Sequence, residues 1–413
     1  MLTAAEQELL TRVGPGTPMG ELLRRYWLPV AGSSEVRAGG RAVPVRLLGE
    51  DLALFRTSAG EPGLVDARCP HRGTSLAYGF ADDEALRCPY HGWRFDPAGR
   101  CVEIPEPGGT TTLQDRARTP AYPVRELGGL VFAYLGPAPP PVLPRYDLFV
   151  WEGALRDIGR AVVPCNWLQI MENSVDPVHV EWLHGHHLAA VRSAGGQPAP
   201  TRYRRHHTEI GFEEFEHGIL KRRVVEGGSR DDDDWRVGHP LVFPVMVRVG
   251  AHRQHRFQIR VPMDDTHTLH LWYSCYLPPP GAPPVEQDDI PVYDVPFRDE
   301  RGFIVDFVDG GDIMTWVAQG PIADRTRELL TATDQGVVML RRLLLEQVER
   351  VRRGEDPLGV LRAPDTPDVI ELPQEREKYR DGAAFLAEAL DATHVRHSPL
   401  RDRIDALLAE PGA

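Results

Sequence analysis

The sequence predicts an α+β protein in which a small all-β domain precedes a larger domain of mixed helices and strands. Three observations support this division. Short runs of strand-forming residues, separated by Gly, Asp and Pro, fill residues 28–135. The segment Gly-Pro-Ala-Pro-Pro-Pro at 136–141 then indicates a stiff, extended linker. Beyond it, apolar residues recur at helical spacing over residues 333–353, which predicts a long helix in the second domain.

The remaining elements follow from local patterns. Helices are predicted at 4–13, 19–26 and 167–182, and strands at 43–48, 52–55, 130–135, 258–261 and 269–275. We expect residues 1–27 to form a helical segment that packs on the larger domain. Residues 28–141 then form the small domain, and residues 142–413 form the larger one.

Composition excludes several classes of protein. The chain has 413 residues and a net charge of −13, which argues against binding to nucleic acid or to an anionic membrane surface. No apolar run reaches the length of a membrane helix, and residues 1–8 lack the features of a secretory signal. Five cysteines without a disulfide pattern favour a reducing compartment, so we expect a cytoplasmic protein.

Four residues indicate the first metal centre: Cys69, His71, Cys88 and His91. Their C-x-H and C-x-x-H loops supply two thiolates and two imidazoles, the ligand set of a Rieske [2Fe–2S] cluster. Pro and Gly flank both pairs, which favours tight turns whose backbone N–H groups face the cluster sulfurs. The two loops resemble the Rieske domain of bacterial aromatic-ring oxygenases. A zinc site is the alternative, because zinc also accepts two Cys and two His.

A second motif, N-x-x-D-x-x-H-x-x-x-x-H, begins at Asn173 and ends with His179 and His184. Two imidazoles and one carboxylate bind non-haem Fe(II) and leave positions open for oxygen and substrate. A five-residue separation places the two histidines about 140° apart on a regular helix. We therefore expect the helix to be bulged or broken, with Pro177 as the cause. His186 and His187 are nearby competitors as ligands.

The second motif resembles the mononuclear iron site of the same oxygenases, so the two motifs imply one family. Residues 9–27 and 319–343 also resemble its phthalate dioxygenase-type members. The resemblance implies a catalytic domain with a central antiparallel sheet flanked by helices. It also places the third iron ligand at the start of a late helix, for which we choose Asp334. The rival carboxylates are Asp306, Asp312 and Asp324.

The resemblance assigns two further residues. Asp176 is expected to bridge His179 of its own chain and His91 or His71 of a neighbouring subunit, which joins the two metal centres across a subunit interface. A simple helix cap at Pro177 is the alternative role for Asp176. Asn173 is expected to face the open side of the iron. A head-to-tail contact of this kind closes into a homotrimer, or into stacked trimers.

The activity implied is that of an oxygenase component. Electrons from NADH reach the cluster through a separate flavin or iron–sulfur reductase or a ferredoxin, because no nucleotide-binding motif is present here. With O₂, the enzyme is expected to hydroxylate a small aromatic substrate, most simply an aromatic acid. The alternatives are an O- or N-demethylase, an aliphatic hydroxylase, a pure Rieske electron carrier and a zinc-stabilised interaction protein.

The least determined stretch, about residues 189–295, is where we expect the substrate pocket. Arginines in it are candidates for binding a substrate carboxylate: Arg202, Arg204, Arg205 and Arg248. Large apolar residues in it are candidates for an apolar wall: Phe243, Met246 and Trp272.

Overall fold

A computed structural model describes residues 1–106, 112–362 and 366–409, and these residues form two compact units. One unit comprises Val13–Leu143 with Val360–Thr366, and the other comprises Met1–Arg12, Pro144–Gly359 and Pro367–Ala413. We call them the small and the large unit. Only residues 1–12 of the predicted N-terminal segment therefore belong to the large unit, whereas residues 13–27 belong to the small one.

The α-helices of the described residues, in chain order, are α1 Ala4–Thr11, α2 Pro18–Leu23, α3 Asp147–Val150, α4 Trp167–Ser174, α5 Leu188–Ala194, α6 Asp233–Arg236, α7 Val308–Ala318, α8 Gln335–Arg352, α9 Gly382–Ala389 and α10 Arg401–Leu408. A π-helix, Val180–His187, precedes α5. No helix of the described residues combines the length and apolar character needed to cross a membrane.

The strands of the small unit are β1 Leu28–Gly32, β2 Val43–Leu47, β3 Glu50–Arg56, β4 Pro62–Asp66, β5 Phe80–Asp82, β6 Ala85–Arg87, β7 Arg94–Phe95, β8 Cys101–Glu103, β9 Ala121–Tyr122, β10 Val124–Leu127 and β11 Leu130–Ala133. They form three antiparallel sheets with the orders β1-β11-β10, β2-β3-β4-β9 and β5-β6-β7-β8. The predicted all-β domain is therefore present. Its core includes Phe55, Leu86, Trp93 and both motif cysteines.

The strands of the large unit are β12 Leu155–Val163, β13 His207–Phe215, β14 Gly218–Val225, β15 His239–Val242, β16 Met246–Ala251, β17 Gln254–Pro262, β18 Thr268–Tyr276, β19 Val292–Asp294, β20 Arg298–Asp299 and β21 Gly302–Phe303. Eight of them form one sheet in the order β13-β14-β15-β16-β17-β18-β12-β19. Its pairs are antiparallel except β12–β19. This is the central sheet that the family resemblance implied.

One face of this sheet packs on helices through a buried apolar cluster. Trp272 of β18 contacts a core that contains Ile170 of α4 and Ile313 and Trp316 of α7. Burial of such large side chains stabilises the fold by about 1.5–3 kcal/mol each. The packing therefore fixes α4, in which the second motif begins, and α7 against the sheet.

Helices α4 and α8 are joined by an ion pair network around Glu172. Its carboxylate accepts hydrogen bonds from Arg325 (Nη2 to Oε2, 2.7 Å) and from Nε of Arg341 on α8 (2.7 Å). Both arginines are almost completely buried. A buried charge left without a partner is costly, so this carboxylate is a strong constraint on where α4 lies.

We expect Glu172→Gln to destabilise the large unit by about 3 kcal/mol, because Arg325 then loses its carboxylate partner. Thermal unfolding followed by circular dichroism should show a loss on the order of 5–10 °C. Glu349→Gln is the matched control, since Glu349 pairs with Arg352 at an exposed position of α8. An equal melting temperature for both variants would show that the buried network contributes nothing.

Candidate metal centres

The two Cys-x-His loops of the small unit place their thiols inward and their imidazoles outward. Cys69 and Cys88 are buried, whereas His71 and His91 are exposed. The two imidazole rings lie 4.5 Å apart between centroids, so they share one patch of the surface. This arrangement fits a cluster whose inner iron takes the thiolates and whose outer iron takes the imidazoles.

Matching backbone hydrogen bonds hold both loops. In the first loop, the Cys69 N–H donates to the Thr74 carbonyl (3.0 Å) and the Gly73 N–H donates to the Cys69 carbonyl (2.8 Å). The second loop repeats both bonds at the same offsets, at 2.8 and 3.1 Å. Gly73 and Gly92 take φ values of 71° and 74°, the left-handed region that favours glycine. The glycines of the motif are therefore required by the turns.

The spacing of the four donor atoms distinguishes the two candidate metals. Ligands of one tetrahedral zinc ion lie about 2.0–2.3 Å from it, and hence close to one another. Among the described residues, Cys69, His71, Cys88 and His91 do not bring three such atoms within 4.8 Å of one another. The geometry therefore favours a two-iron cluster over a single zinc ion.

Burial, with a smaller contribution from the adjacent Cys88 thiol, raises the pKa of Cys69 to about 11.

The second motif lies on a helix that changes its winding at the histidines. Helix α4 ends at Ser174, Pro177 follows, and the π-helix begins one residue after His179. A π-helix has hydrogen bonds from i to i+5, so residues five apart come together on one side. The rings of His179 and His184 accordingly lie 5.1 Å apart. The predicted fault in the helix is confirmed, and its form is a π-helix.

Asp312 of α7 supplies the carboxylate beside these histidines. Its Oδ1 lies 3.3 Å from Nε2 of His184 and 3.9 Å from Nε2 of His179. The three donor atoms lie within 4.8 Å of one another, and Asp312 is buried. Oδ1 has no hydrogen-bond partner among the described residues. A buried carboxylate oxygen facing two imidazole nitrogens, with no donor of its own, fits a metal ion between them.

The choice of Asp334 as third ligand is corrected by this geometry. Asp334 lies in the turn before α8, where Oδ2 accepts hydrogen bonds from the Thr331 N–H (2.6 Å) and hydroxyl (3.0 Å). It therefore caps that turn, as an acidic residue at a helix start commonly does. Of the other rivals, Asp306 pairs with Arg396 and Asp324 accepts from Thr326. The sequence feature that could have identified Asp312 is its position as an acidic residue within the largely apolar helix α7.

A second carboxylate on α7 lies one turn before Asp312. Asp309 is 1% exposed, and it accepts hydrogen bonds from Nε1 of Trp272 (2.7 Å) and from the backbone N–H of His394 (2.7 Å). Burial opposes the charge on Asp309, but the His394 ring beside it, together with the Arg256 guanidinium, outweighs burial and holds the pKa of Asp309 well below the usual range. Asp309 thus anchors α7 to the sheet, which sets the position of Asp312.

Asp176 lies beside His179. Its Oδ2 is 3.5 Å from Nδ1 of His179, and its Oδ1 accepts from the Val178 N–H at 2.8 Å. Burial by itself raises the pKa of Asp176, but the contact with His179 and its charge outweigh burial and lower that pKa to about 2. A carboxylate in this position orients a metal-bound imidazole. The helix-cap contact is therefore present, and the contact with His179 fits the proposed orienting role.

A cavity of about 850 Å³ of empty space, mouth included, opens beside the triad. Asn173 lies on its wall together with His179, His184 and Asp312. His186 and His187 are exposed and lie outside it. The rest of the wall is strongly basic for a site in an acidic protein. Its cationic side chains are Lys221, Arg223, Arg256, Arg260 and Lys378.

The residues that the sequence suggested for substrate binding lie elsewhere. Arg202 pairs with Glu388, Arg248 pairs with Asp147, and Arg205 donates to the Tyr379 carbonyl. These arginines, exposed Arg204, and the apolar candidates Phe243, Met246 and Trp272 are not part of the cavity wall. The signal that was missed is the alternation of Gln254, Arg256, Gln258 and Arg260 along β17, which places four polar side chains on one face.

We expect Asp312→Asn to lose the mononuclear iron and to keep the [2Fe–2S] cluster, because an amide replaces the only anionic ligand of the triad. Iron analysis should fall from three to two atoms per chain while the visible cluster absorbance is unchanged. Asp334→Asn is the control and should retain three. The assignment of the ligand is wrong if Asp334→Asn loses an iron and Asp312→Asn does not.

Two family models match parts of this chain. A model of the Rieske [2Fe-2S] domain matches residues 26–122, and a model described as LigXa C-terminal domain like matches residues 304–371. The second match includes Asp312. The two family models thus fall on the two parts of the chain that carry the cluster loops and the carboxylate ligand.

Whole-chain relatives are oxygenase subunits. The 5,5'-dehydrodivanillate O-demethylase oxygenase subunit of Sphingobium sp. is 40% identical over 96% of this chain and 92% of its own length. The phthalate 4,5-dioxygenase oxygenase subunit of Pseudomonas putida is 33% identical over 87% of this chain and 89% of its own.

A solved structure shares the fold. The terminal oxygenase of carbazole 1,9a-dioxygenase from Novosphingobium sp. KA1 superposes with a TM-score of 0.58 at 23% identity, and the match covers 83% of this chain and 97% of that one. With near full-length relatives above 30% identity and both ligand sets in place, the chain belongs to the Rieske non-haem iron oxygenases, as an oxygenase component that takes a Rieske [2Fe–2S] cluster, a mononuclear iron and O₂.

Proposed function

We propose that this oxygenase acts on an aromatic carboxylate and removes a methyl group from a methoxy substituent of the ring. We infer the substrate class from a set of cationic side chains on the cavity wall that have no carboxylate partners. The relative of 40% identity, itself named as an O-demethylase, supports the reaction. Ring hydroxylation of an aromatic acid is the second candidate, supported by the phthalate 4,5-dioxygenase relative.

The cations of the cavity wall fall into two groups. Arg223 pairs with Asp234 (2.8 Å), and Lys378 pairs with Glu375 (3.3 Å). In the described part of the chain, no carboxylate lies within 4.0 Å of Lys221, Arg256 or Arg260, which form the second group. We call these three the unpaired cations.

The unpaired cations are costly in the free protein. Arg260 is 1% exposed, and the Nε atoms of both Arg256 and Arg260 are shielded from solvent without a hydrogen-bond partner among the described residues. Burial lowers the pKa of Lys221 to about 7, because the ammonium loses water and faces the neighbouring Arg223. A carboxylate entering the cavity would offset this cost and accept the free N–H donors. An anionic substrate is therefore the ligand that this wall fits best.

The proposed reaction balances with the co-substrates that this family uses. A methoxyarene, O₂, NADH and one proton give a phenol, formaldehyde, water and NAD⁺. One oxygen atom enters a methyl C–H bond, and the resulting hemiacetal loses formaldehyde as its C–O bond breaks. Iron held by His179, His184 and Asp312 supplies oxygen activation when bound, using two electrons that arrive from a separate reductase through the cluster. The unpaired cations hold the acid group and thereby orient the ring.

We expect one formaldehyde for each NADH consumed when the holoenzyme and a suitable reductase are given a methoxybenzoate substrate. The methyl ester of the same acid should react on the order of 100-fold less efficiently, because it leaves the cations unpaired at a cost of about 3 kcal/mol. Formaldehyde and NADH are measured in the same reaction. Equal kcat/KM for acid and ester would exclude the carboxylate requirement. A dihydroxylated ring without formaldehyde would favour the second candidate.

Asp176 is proposed to carry the electron path to a neighbouring subunit of a homotrimer. A groove on the large unit is lined by Asp176, His179, Trp182 and Asp334. At its rim Trp182 is 60% exposed, which is unusual for so large an apolar side chain and typical of an interaction site. The groove therefore offers a place where His91 of another subunit could meet Asp176, as the family resemblance implies.

We expect Asp176→Asn to bind three irons per chain and to accept electrons into its cluster, yet to lose more than about 100-fold of its turnover. The amide cannot bridge two imidazoles as a shared anionic acceptor. The measurement is single-turnover oxidation of the reduced cluster by O₂ with substrate present. Glu349→Gln, at an exposed position outside the groove, is the control and should turn over normally. Normal cluster oxidation in Asp176→Asn would remove Asp176 from the path.

A further inference from the structure

We propose that an acidic [2Fe–2S] electron-donor protein docks on a strip of the small unit that runs from the base of the first cluster loop to strand β5. The strip consists of Arg68, Tyr78, Phe80 and Arg41, and we call it the docking strip. It does not include the cluster imidazoles, which the proposal above directs to a neighbouring subunit. The docking site goes beyond the proposed function and does not depend on the identity of the substrate.

Backbone contacts fix the order of the four residues along the strip. Arg68 forms an antiparallel β-bridge with Ser75, and the short 3₁₀ turn Leu76–Tyr78 follows directly. Phe80 on β5 forms a second antiparallel bridge with Arg41. The fold therefore places two arginines at the ends of the strip and two aromatic residues between them.

The two aromatic side chains are displayed to solvent on a fixed backbone. Tyr78 is 69% exposed and Phe80 is 44% exposed, whereas Leu76 in the same turn is completely buried. The Leu76 N–H donates to the Ala67 carbonyl at 2.7 Å, which ties the turn to the cluster loop. On β5, alternation places Ala81 in the core and Phe80 on the outer face. Adjacent exposed aromatic rings on a rigid backbone are typical of an interaction site, because little freedom is lost on binding.

The two arginines of the strip carry uncompensated charge. Arg41 and Arg68 are exposed, and no carboxylate lies within 4.0 Å of either guanidinium in the part of the chain that the structure describes. The guanidinium of Arg68 is 3.5 Å from the Gly73 carbonyl oxygen. The nearby Asp66 accepts from the backbone N–H of Arg68 (2.6 Å), so it holds the loop rather than the side chain.

Other charges near the cluster loops largely cancel. Arg87 pairs with Asp82 (2.6 Å), and Arg94 pairs with Glu103 (3.1 Å). Of the acidic residues in the β5–β6 hairpin, only Glu84 has no ion pair among the described residues. The chain as a whole has a net charge of −13. An acidic partner is therefore repelled by most of the surface and attracted to the docking strip, which orients its approach.

The chemistry of electron supply identifies the kind of partner. The cluster accepts one electron at a time, and its two imidazoles raise its potential well above that of an all-cysteine cluster. A plant-type [2Fe–2S] centre, with four cysteines, therefore passes electrons to it downhill. Arg68 adjoins the cluster ligand Cys69, so a donor on the strip lies next to the cluster. Transient electron-transfer complexes commonly bury less than about 1,200 Å², which suits a strip of four side chains.

The test is reduction of the oxidised holoprotein by an acidic plant-type [2Fe–2S] ferredoxin, kept reduced under anaerobic conditions without substrate. Rapid-freeze EPR separates the reduced Rieske signal from that of the ferredoxin. At low ionic strength, Arg41→Glu and Arg68→Glu should each lower the second-order rate constant on the order of 10-fold, because an attraction becomes a repulsion. The difference from the native protein should shrink at high salt, which screens exposed charges.

A matched control has the same change of charge elsewhere on the small unit. Arg125→Glu alters an exposed arginine on β10, in a different sheet from β5, and should leave the rate constant within about two-fold of the native value. Tyr78→Ser combined with Phe80→Ser should slow reduction at low and high salt alike, because apolar contact is not screened. Photoreduction by 5-deazariboflavin, a small uncharged reductant, should proceed equally in every variant and so show that each cluster is intact.

Equal ferredoxin rate constants for the native protein, Arg41→Glu and Arg68→Glu would overturn the docking site, as would an equal loss in Arg125→Glu. A second copy of this chain is the other possible occupant. If Arg41→Glu changes the assembly state measured by sedimentation velocity, the strip is a contact between copies and the docking proposal is wrong.

Failure of the docking site is distinguishable from failure of the proposed reaction. Photoreduced holoprotein that is given O₂ and a methoxybenzoate needs no donor protein, so release of formaldehyde tests demethylation by itself. Absence of formaldehyde there, with the expected ferredoxin rate constants, would reject the reaction and retain the docking strip.

Discussion

The geometry of the catalytic unit depends on the π-helix that begins directly after His179. An α-helix would direct His179 and His184 to different sides, and Asp312 would then have only one imidazole to face. A π-helix is a poor choice for an isolated segment, so tertiary contacts must hold it in place. Buried Glu181 accepts from the His207 N–H (3.1 Å) and from the His206 ring (3.2 Å). The π-helix is thus stabilised by contacts between Glu181 and the residues at the start of strand β13.

Close packing adds a second constraint on the same turn. Gly185 follows His184 and approaches Tyr203, where a Cβ atom would lie 2.7 Å from the Tyr203 carbonyl oxygen. Moving the Tyr203 backbone to make room would cost considerable free energy. Any residue larger than glycine at position 185 would therefore push the π-helix and His184 away from Asp312. The ring of Tyr203 also lies 5.7 Å from that of His184. The orientation of one iron ligand therefore depends on a glycine that binds nothing itself.

The sequence was sufficient for the parts of the site whose ligands are close together in the chain. Cys69 and His71, or His179 and His184, constrain each other through local spacing, and Pro177 even indicated the helix fault. Asp312 was named only as a rival ligand, because nothing local ties it to the histidines more than 120 residues before it. Its rival Asp334 carried a misleading signal, since an acidic residue at a helix start satisfies the backbone without any metal. The substrate wall was missed for a related reason: polar residues alternating along β17 also fit a strand with one face in water.

One chain of contacts links Asp312 to a cation that is proposed to bind the substrate. Helix α7 carries Asp312 to the histidines and, one turn earlier, Asp309 to Trp272 and His394. His394 in turn lies 3.4 Å from Arg256, one of the unpaired cations of the cavity wall. Because Asp309, Trp272 and His394 are buried and joined by hydrogen bonds, the position of α7 relative to that cation is set by the fold rather than by a mobile loop. Under the proposed function, a substrate anchored there by its acid group would present a fixed part of its ring to the iron, and the scaffold that builds the metal centre would also select which carbon is oxidised.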